Sequence, residues 1–321
     1  MLKNNSRDSF SLLMLKFERV PIKIRESLVS HRGYHDVNDS SSRPLENTLD
    51  AYREAFKELR YAECDITCST DGIIYLCHDR NFSRLSTGSD ETKSNVDVIS
   101  LKSADIDSIE LTNRTHPSRL QSVLLLAKSM SGSQTCKLVI EIKPSAPERM
   151  LLILLKQFED NPSLLNNVGV FMSFNHNIVK RFREMYDKSA EKHAAFVKYR
   201  PKFIILCRSK QVAFNVKNRE KCLKTDMCDS MIDYRNKTDI ARIEKEQNGK
   251  FDGFYLQLSK DMLDKDGLDS LKRLSSKYTI GVWGSARLGD PDSLKTATRL
   301  CSGGVRFVNT DLPENFFTSS F

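Results

Sequence analysis

Short apolar runs alternate with amphipathic stretches along most of this 321-residue chain. The runs are rich in β-branched and aromatic residues and have the length of buried strands, whereas the stretches between them place apolar residues at helical spacing. The strand candidates are, in order, ESLVSH, YAECDIT, KLVIEIK, VGVFMSF, KFIILC, DGFYLQL, YTIGVW and VRFVNT. Helix candidates such as ENTLDAYREAFKEL, ERMLLILLKQFE, NIVKRFREMYD and DSLKRLSSK lie between them. This alternation indicates a parallel sheet, and eight such units predict a closed (β/α)8 TIM barrel.

The barrel pattern begins near residue 27, so we expect a single barrel domain over residues 27–321 and an N-terminal extension over residues 1–26. One further run, GIIYLCH, follows the turn tripeptide TDG and predicts a hairpin-like excursion from the second strand. Between residues 82 and 137 we expect one irregular loop and one helix. The pattern is weakest between residues 208 and 250, where we expect a decorated connection.

Charge and composition narrow the choice of partners. The net charge of +8 and the pI near 9.0 favour anionic partners such as phosphates, nucleic acid or acidic membrane surfaces. Of these, we expect no nucleic-acid partner. The eight cysteines are scattered and none has CxxC spacing, which indicates reduced thiols and neither a zinc site nor a disulfide framework. No segment has the pattern of a signal peptide or a membrane helix, so we expect a soluble, cytoplasmic protein.

Charged residues interrupt two of the predicted strands. Glu63 and Asp65 are two positions apart and point to the same side of a strand, and Glu141 and Lys143 repeat this arrangement. The helix-facing side of a barrel strand must be apolar, so these charges should point inward near the C-terminal ends of the strands. Three carboxylates there would repel one another, and a divalent cation is the expected partner. Oxygen ligands favour Mg²⁺ or Ca²⁺ over zinc.

Two histidines end predicted runs at the same rim of the barrel. His31 closes the first strand and His78 closes the excursion. One of them can act as general base and the other as general acid at neutral pH. A lone histidine at a strand end is more often a structural hydrogen-bonding residue, and either charged motif alone is typical of a solvated strand face. The combination of both features at one rim favours a site. Of the other histidines, His35 is closest to this setting because it shares the first loop.

The motifs, taken in order, resemble the glycerophosphodiester phosphodiesterase family. They are His31-Arg32-Gly33, Glu46-Asn47-Thr48, Glu63 with Asp65 and Asp71-Gly72, His78-Asp79, Glu141-Ile142-Lys143, Ser173-Phe174 and Thr310-Asp311-Leu312-Pro313. Each motif alone is weak, but the ordered set is specific. The resemblance covers residues 31 to about 313, and it is sparse between residues 208 and 250.

The resemblance implies a TIM barrel that cleaves glycerophosphodiesters to glycerol 3-phosphate and an alcohol. It implies one divalent cation on Glu63, Asp65 and Glu141, and His31 and His78 as the catalytic pair. Arg32 and Lys143 are implied as phosphate contacts and Trp283 as a contact for the alcohol or glycerol part. A substrate hydroxyl beside the phosphorus is the implied nucleophile, with a cyclic phosphate that water then opens. One departure concerns the head group: the amide usual in the family at the position of Ala286 is missing.

Three further points stay open at the level of sequence. Gly33 is expected to let the backbone come close to the ligand, and Glu46 to start the first helix or to lie near the metal. A lysophospholipase acting at a membrane surface is an alternative function, because the basic stretch 180–202 could contact anionic lipid. A catalytically silent barrel that binds phosphodiesters is another alternative, although every position expected to do chemistry keeps a competent side chain.

Overall fold

The computed structural model describes residues 20–35, 43–88, 91–214, 230–284 and 292–316. Its strands are β1 (Leu28–Ser30), β2 (Tyr61–Cys68), β3 (Ile74–Leu76), β4 (Lys137–Ile142), β5 (Val168–Ser173), β6 (Lys202–Ser209), β7 (Met231–Ile232), β8 (Gly253–Gln257), β9 (Thr279–Trp283) and β10 (Phe307–Thr310). Eight of them are parallel and follow the order β1-β10-β9-β8-β6-β5-β4-β2, and β1 also pairs with β2. This last pairing closes the barrel.

Helices connect the barrel strands and cover their outer side. They are α1 (Ile22–Arg25), α2 (Leu49–Glu58), α3 (Glu91–Ser94), α4 (Ser103–Asp107), α5 (Leu120–Met130), α6 (Arg149–Asp160), α7 (His176–Ala190), α8 (Ala194–Lys198), α9 (Lys210–Phe214), α10 (Lys237–Gln247), α11 (Lys265–Ser275) and α12 (Leu294–Ser302). Short 3₁₀ helices occur at Val98–Ser100, Pro162–Asn167, Lys260–Leu263 and Pro313–Phe316. Each predicted strand run contains one barrel strand, so the predicted (β/α)8 barrel is confirmed.

The residues of each barrel strand alternate between two cores. Those that face outward, such as Cys64 and Ile66 of β2, belong to the main core between strands and helices. Those that face inward, such as Val139 and Tyr255, form a smaller cluster that fills the barrel. The period of two along each strand therefore separates the inward-facing side chains from the helix-facing ones.

The excursion after β2 is confirmed as a hairpin, because β3 pairs antiparallel with β2. The prediction of one loop and one helix for residues 82–137 was wrong in part, since α3, α4 and a 3₁₀ turn precede α5. Helices this short contain too few turns to show a helical period in sequence. They enclose a satellite core formed by Tyr75, Cys77, Phe82, Val98, Leu101, Ile106, Ile109 and Leu111.

Other expectations fall partly outside the described residues. In the predicted N-terminal extension, Val20 and Ile24 are buried in the main core. The decorated connection contains α9, β7 and α10, while residues 215–229 lie outside the described part, as does Ala286. The cysteines that the structure describes are buried and unpaired with one another. Within the described ranges, no helix combines the length and apolar character required to cross a membrane.

Candidate active site

Three carboxylates meet inside the C-terminal rim of the barrel. Glu63 and Asp65 occupy alternate positions of β2, and Glu141 stands opposite Asp65 in the register of β2 and β4. One oxygen from each carboxylate lies within 4.8 Å of the other two. All three residues are buried. The structure therefore brings together the three residues that the sequence indicates as metal ligands.

Cationic groups surround this acidic cluster. Lys143 Nζ lies 3.1 Å from Asp65 Oδ1 and 2.9 Å from Glu141 Oε1. The backbone N–H of Arg32 donates to Glu63 Oε2 at 3.0 Å, and Arg32 Nε lies 3.5 Å from Asp65 Oδ2. Asp65 and Glu141 thus each contact a cationic side chain, whereas Glu63 accepts from the neutral backbone N–H of Arg32.

The two carboxylates of β2 are shifted in opposite directions. Burial raises the pKa of Glu63, and the negative charge of Asp65 raises it further. Burial also acts to raise the pKa of Asp65, but the charges of Lys143 and Arg32 outweigh it and hold that pKa well below its ordinary value. Burial and a neighbouring like charge both disfavour the ionised form of Glu63, and a bound cation would favour it.

The donor set fits a hard divalent cation. All the candidate ligand atoms are carboxylate oxygens, which Mg²⁺ and Ca²⁺ prefer. Glu141 Oε1 is buried and lies 2.9 Å from the Lys143 amine. A divalent cation held by Glu63, Asp65 and Glu141 would add a second positive partner for that oxygen.

The loop before α2 holds one of these carboxylates in place. Asn47 Nδ2 donates to Asp65 Oδ2 at 3.1 Å, and Asn47 Oδ1 accepts from the Tyr52 hydroxyl at 2.7 Å. Asn47 and Arg32 both have left-handed backbone conformations, with φ of 57° and 53°, and the Asn47 N–H donates to the Arg32 carbonyl at 3.0 Å. Such strain at non-glycine residues is typical of functional sites.

His31 follows β1 and is bound by the far end of the chain. Its Nδ1 lies 2.5 Å from Asp311 Oδ1, and its Nε2 lies 3.8 Å from Glu63 Oε2. Burial and the charge of Arg32 lower the pKa of His31, but the carboxylates of Asp311 and, to a smaller extent, Glu63 outweigh them, so the pKa is raised overall. His35 lies nearby, with its ring centre 6.2 Å from that of His31, and burial followed by the His31 charge lowers its pKa.

His78 has an equivalent partner in the next residue. Its Nδ1 lies 2.8 Å from Asp79 Oδ1, while Arg84 Nε donates to Asp79 Oδ2 at 2.7 Å. The hydrogen bond with His78 is the largest of the effects that hold the pKa of Asp79 below its ordinary value. Both histidines are therefore bound through Nδ1 to an aspartate.

The structure gives Glu46 and Gly33 more definite roles than the sequence does. Glu46 accepts hydrogen bonds from Arg32 at 3.1 Å and from Arg84 at 2.7 and 3.0 Å. Its carboxylate thus binds two arginines. Gly33 has φ of +80°, and a Cβ there would lie 2.8 Å from Ala51. Glycine is therefore required because the backbone approaches α2 closely at this position.

A cavity of about 390 Å³ opens above the acidic cluster. His31, His78, Arg32 and the other rim residues form one side, and Met172, Phe174, Leu206, Arg208 and Trp283 form the other. Trp283 meets Phe174 edge to face at 5.5 Å, and Arg208 lies over the Phe174 ring at 5.1 Å. Lys143 is not one of the described residues that line the cavity. Its amine contacts Asp65 and Glu141 instead.

From the sequence alone, no role is assigned to four residues of the site, which are Asn47, Asp79, Arg84 and Asp311. Asp79 and Asp311 belong to motifs of the sequence, and their positions after His78 and after the last strand are signals that they could contact the histidines. Asn47 also belongs to a motif. Arg84 gives no signal, since it lies in a segment without a regular pattern.

A (β/α)8 barrel whose C-terminal rim gathers carboxylates, histidines and arginines around one cavity has the arrangement of a barrel enzyme. The chain belongs to the glycerophosphoryl diester phosphodiesterase family, whose model matches residues 31–221. It is accordingly an enzyme of the phosphoric diester hydrolase class. No curated protein matches the chain at a significant level.

Solved structures show the same fold at low sequence identity. A glycerophosphodiester phosphodiesterase from Parabacteroides distasonis is 19% identical, with a TM-score of 0.58 over 90% of this chain and 93% of that one. One from Thermotoga maritima is 19% identical, with a TM-score of 0.56 over 90% and 96%. An Oleispira antarctica phosphodiesterase in complex with the product sn-glycerol-3-phosphate is 14% identical, with a TM-score of 0.55 over 93% and 96%.

Proposed function

We propose that this chain hydrolyses glycerophosphodiesters to glycerol 3-phosphate and an alcohol, with one divalent cation on Glu63, Asp65 and Glu141. The observation that carries the proposal is the single cavity that both histidines share with two of these carboxylates. The Oleispira antarctica relative was solved with sn-glycerol-3-phosphate, which supports a glycerol phosphate as the product. Mg²⁺ and Ca²⁺ both suit the oxygen ligands.

The proposed chemistry divides proton transfer between His31 and His78. In the first step one imidazole takes the proton of the substrate hydroxyl beside the phosphorus as its oxygen bonds to phosphorus, and the other gives a proton to the alcohol oxygen whose bond to phosphorus breaks. Water then attacks the resulting cyclic phosphate with the two roles exchanged, and the proton given to the ring oxygen that leaves completes glycerol 3-phosphate. Asp311 and Asp79 hold the two rings through Nδ1, which leaves Nε2 of each ring for this work. A bound divalent cation would neutralise a non-bridging oxygen of the phosphate.

Arginine and lysine residues supply the remaining positive charge. Arg32 lines the cavity and is proposed as a direct phosphate contact. Lys143 is proposed to act on the phosphate from beside the acidic cluster, where its amine contacts Asp65 and Glu141. Positive groups fixed in a partly dry site stabilise the charge that the phosphoryl group carries in the transition state.

The alcohol or glycerol part of the substrate is proposed to lie against the opposite wall. Trp283 lines that wall, and its Nε1–H donates to the Cys207 carbonyl at 3.2 Å, which fixes the indole ring. Phe174 and Arg208 extend the same surface. The substrate would therefore span the cavity, with the phosphate beside the histidines and the alcohol beside the aromatic rings.

A substrate panel tests this function directly. Glycerophosphocholine, glycerophosphoethanolamine, glycerophosphoinositol and lysophospholipids would each be incubated with Mg²⁺, with Ca²⁺ and with a chelator, and release of glycerol 3-phosphate measured. We expect turnover of at least one glycerophosphodiester that depends on the cation. Turnover of lysophospholipids alone would favour the membrane-surface alternative, and binding without turnover would favour the silent barrel.

The basic stretch 180–202 gives limited support to a membrane role. Arg183 binds Asp187 at 2.7 Å and Asp252 at 3.1 Å, and Lys180 Nζ donates to the Glu246 carbonyl at 3.0 Å. These cations are engaged within the protein. Salt-sensitive co-sedimentation with anionic vesicles would be the result that favours a surface enzyme.

A further inference from the structure

Arg84 binds two carboxylates of the active-site rim at the same time. It lies in the segment that follows β3, two residues after Phe82 of the satellite core. Its Nε donates to Asp79 Oδ2 at 2.7 Å. Its Nη1 and Nη2 donate to Glu46 Oε2 at 3.0 Å and to Glu46 Oε1 at 2.7 Å. One planar guanidinium therefore bridges two separate loops of the rim.

Each of these carboxylates also contacts a residue with a proposed function. Asp79 Oδ1 lies 2.8 Å from His78 Nδ1, and Glu46 Oε1 lies 3.1 Å from Arg32 Nη1. The hydrogen-bonded series runs from His78 through Asp79, Arg84 and Glu46 to Arg32. It connects a proposed acid–base residue with a proposed phosphate contact.

Solvent exposure makes this bridge important for Asp79. The side chains of His78 and Asp79 are each 36% exposed, so packing alone does not fix them. A carboxylate at the rim that lost Arg84 could rotate toward water and release the imidazole. Glu46 is different, because its side chain is only 8% exposed and Arg32 would remain as its partner.

We propose that Arg84 is a positioning residue of the active site, which holds the Asp79 carboxylate against His78 and the Glu46 carboxylate against Arg32. The proposal rests on the proposed functions of His78 and Arg32. The rigid fork of a guanidinium suits this task, whereas a lysine ammonium is a point charge that cannot present the same donors in one plane. The satellite core thereby contributes to catalysis through the segment that carries Arg84.

Kinetics of Arg84→Gln and Arg84→Lys test the proposal. With the glycerophosphodiester that the wild type cleaves best, we expect kcat to fall by about 10²-fold in Arg84→Gln, the loss typical of a misplaced catalytic group. KM should change far less, and Arg84→Lys should not restore kcat. Arg80→Gln is the matched control, since Arg80 is in the same segment and pairs with Asp97 away from the cavity. It should behave as wild type.

A double variant distinguishes positioning from an independent role. If Arg84 acts through Asp79, Arg84→Gln combined with Asp79→Ala should lose little more activity than Asp79→Ala alone. Multiplicative losses, or a raised KM with unchanged kcat in Arg84→Gln, would overturn the proposal in favour of a direct phosphate contact. Wild-type activity in Arg84→Gln would also overturn it, because it would show that the contacts of Arg84 are surface ion pairs without a role in catalysis.

The tautomer of His78 gives a readout that needs no turnover. Nitrogen-15 NMR of the imidazole should show the proton on Nδ1 in the wild type and a mixture of tautomers in Arg84→Gln, at equal thermal stability. An unchanged tautomer would refute the positioning role. Absence of any diester hydrolysis by the wild type would instead refute the proposed function, so the two failures are distinct.

Discussion

His31 and Asp311 are 280 positions apart, yet Nδ1 of the imidazole lies 2.5 Å from Oδ1 of the carboxylate. The closed barrel explains this contact. β1 and β10 are neighbours, with Ser30 paired to Thr310, so the residues that follow the two strands meet at the rim. The first and last strands of the chain together build one half of the proposed acid–base pair.

Asp311→Asn should lower kcat and move the pH profile. We expect a loss of about 10²-fold or more, at the lower end of what a positioned acid–base group contributes. Burial and Arg32 lower the pKa of His31, and the Asp311 carboxylate raises it above the ordinary value. The uncharged amide of Asn would no longer raise the pKa of His31, so the limb of the pH–rate profile that His31 governs should move to lower pH. A pH–rate profile measures this, and an unmoved limb would contradict the assignment.

Chelation should abolish turnover, and Mg²⁺ or Ca²⁺ should restore it. The reason is that Glu63, Asp65 and Glu141 form one buried oxygen cluster. Titration calorimetry of the chelator-treated protein should show one cation bound, and Glu63→Gln with Asp65→Asn should remove that binding. Glu54→Gln is the control, because Glu54 pairs with Lys57 on the exposed side of α2. Full turnover in chelator would rule out the metal.

Lys143→Met should weaken substrate binding and slow the reaction together, because the charge helps in both ground and transition states. It should also destabilise the chelator-treated fold by about 3–5 kcal/mol, since buried Asp65 and Glu141 lose their counter-ion. Excess Mg²⁺ or Ca²⁺ should restore part of that stability. Thermal melts with and without cation measure this. Lys137→Met, at the other end of β4, is the control, and unchanged kinetics would make Lys143 a purely structural residue.

His31→Ala and His78→Ala should each cost roughly 10²–10⁴-fold in kcat. Because both act in one proton-transfer scheme, the double variant should lose much less than the product of the single losses. The wild type should show a bell-shaped pH–rate profile, and each single variant should lose one limb. His193→Ala, which lies before α8, should leave the rate unchanged. A His78 variant with a normal rate and profile would transfer the role to another rim residue such as His35.

The fold could be predicted from the sequence because each barrel strand is buried on both sides. Runs such as KLVIEIK are apolar on one face and carry isolated charges on the other, which indicates both the strand and the inward direction of Glu141. The convergence of Glu141 with Glu63 depends in addition on the pairing of β2 with β4, which the strand patterns leave open and the structure shows.

The supporting residues could not be predicted with the same certainty. Arg84 lies in a segment whose helices are too short to show a period, and its partners Asp79 and Glu46 are set by tertiary contacts. The position of Lys143 beside two carboxylates also depends on side-chain geometry that a strand pattern does not contain. Periodicity reports which face a residue occupies, whereas hydrogen-bond partners depend on how loops pack.

The satellite core is a second, smaller cluster of buried side chains, and the proposed role of Arg84 would make activity depend on it. It has few buried side chains compared with the main core, so its local opening requires less free energy than unfolding of the barrel. Opening there would displace the segment that carries Arg84 and leave the barrel intact. Heat inactivation is therefore expected at a lower temperature than the loss of barrel structure, with full recovery on cooling.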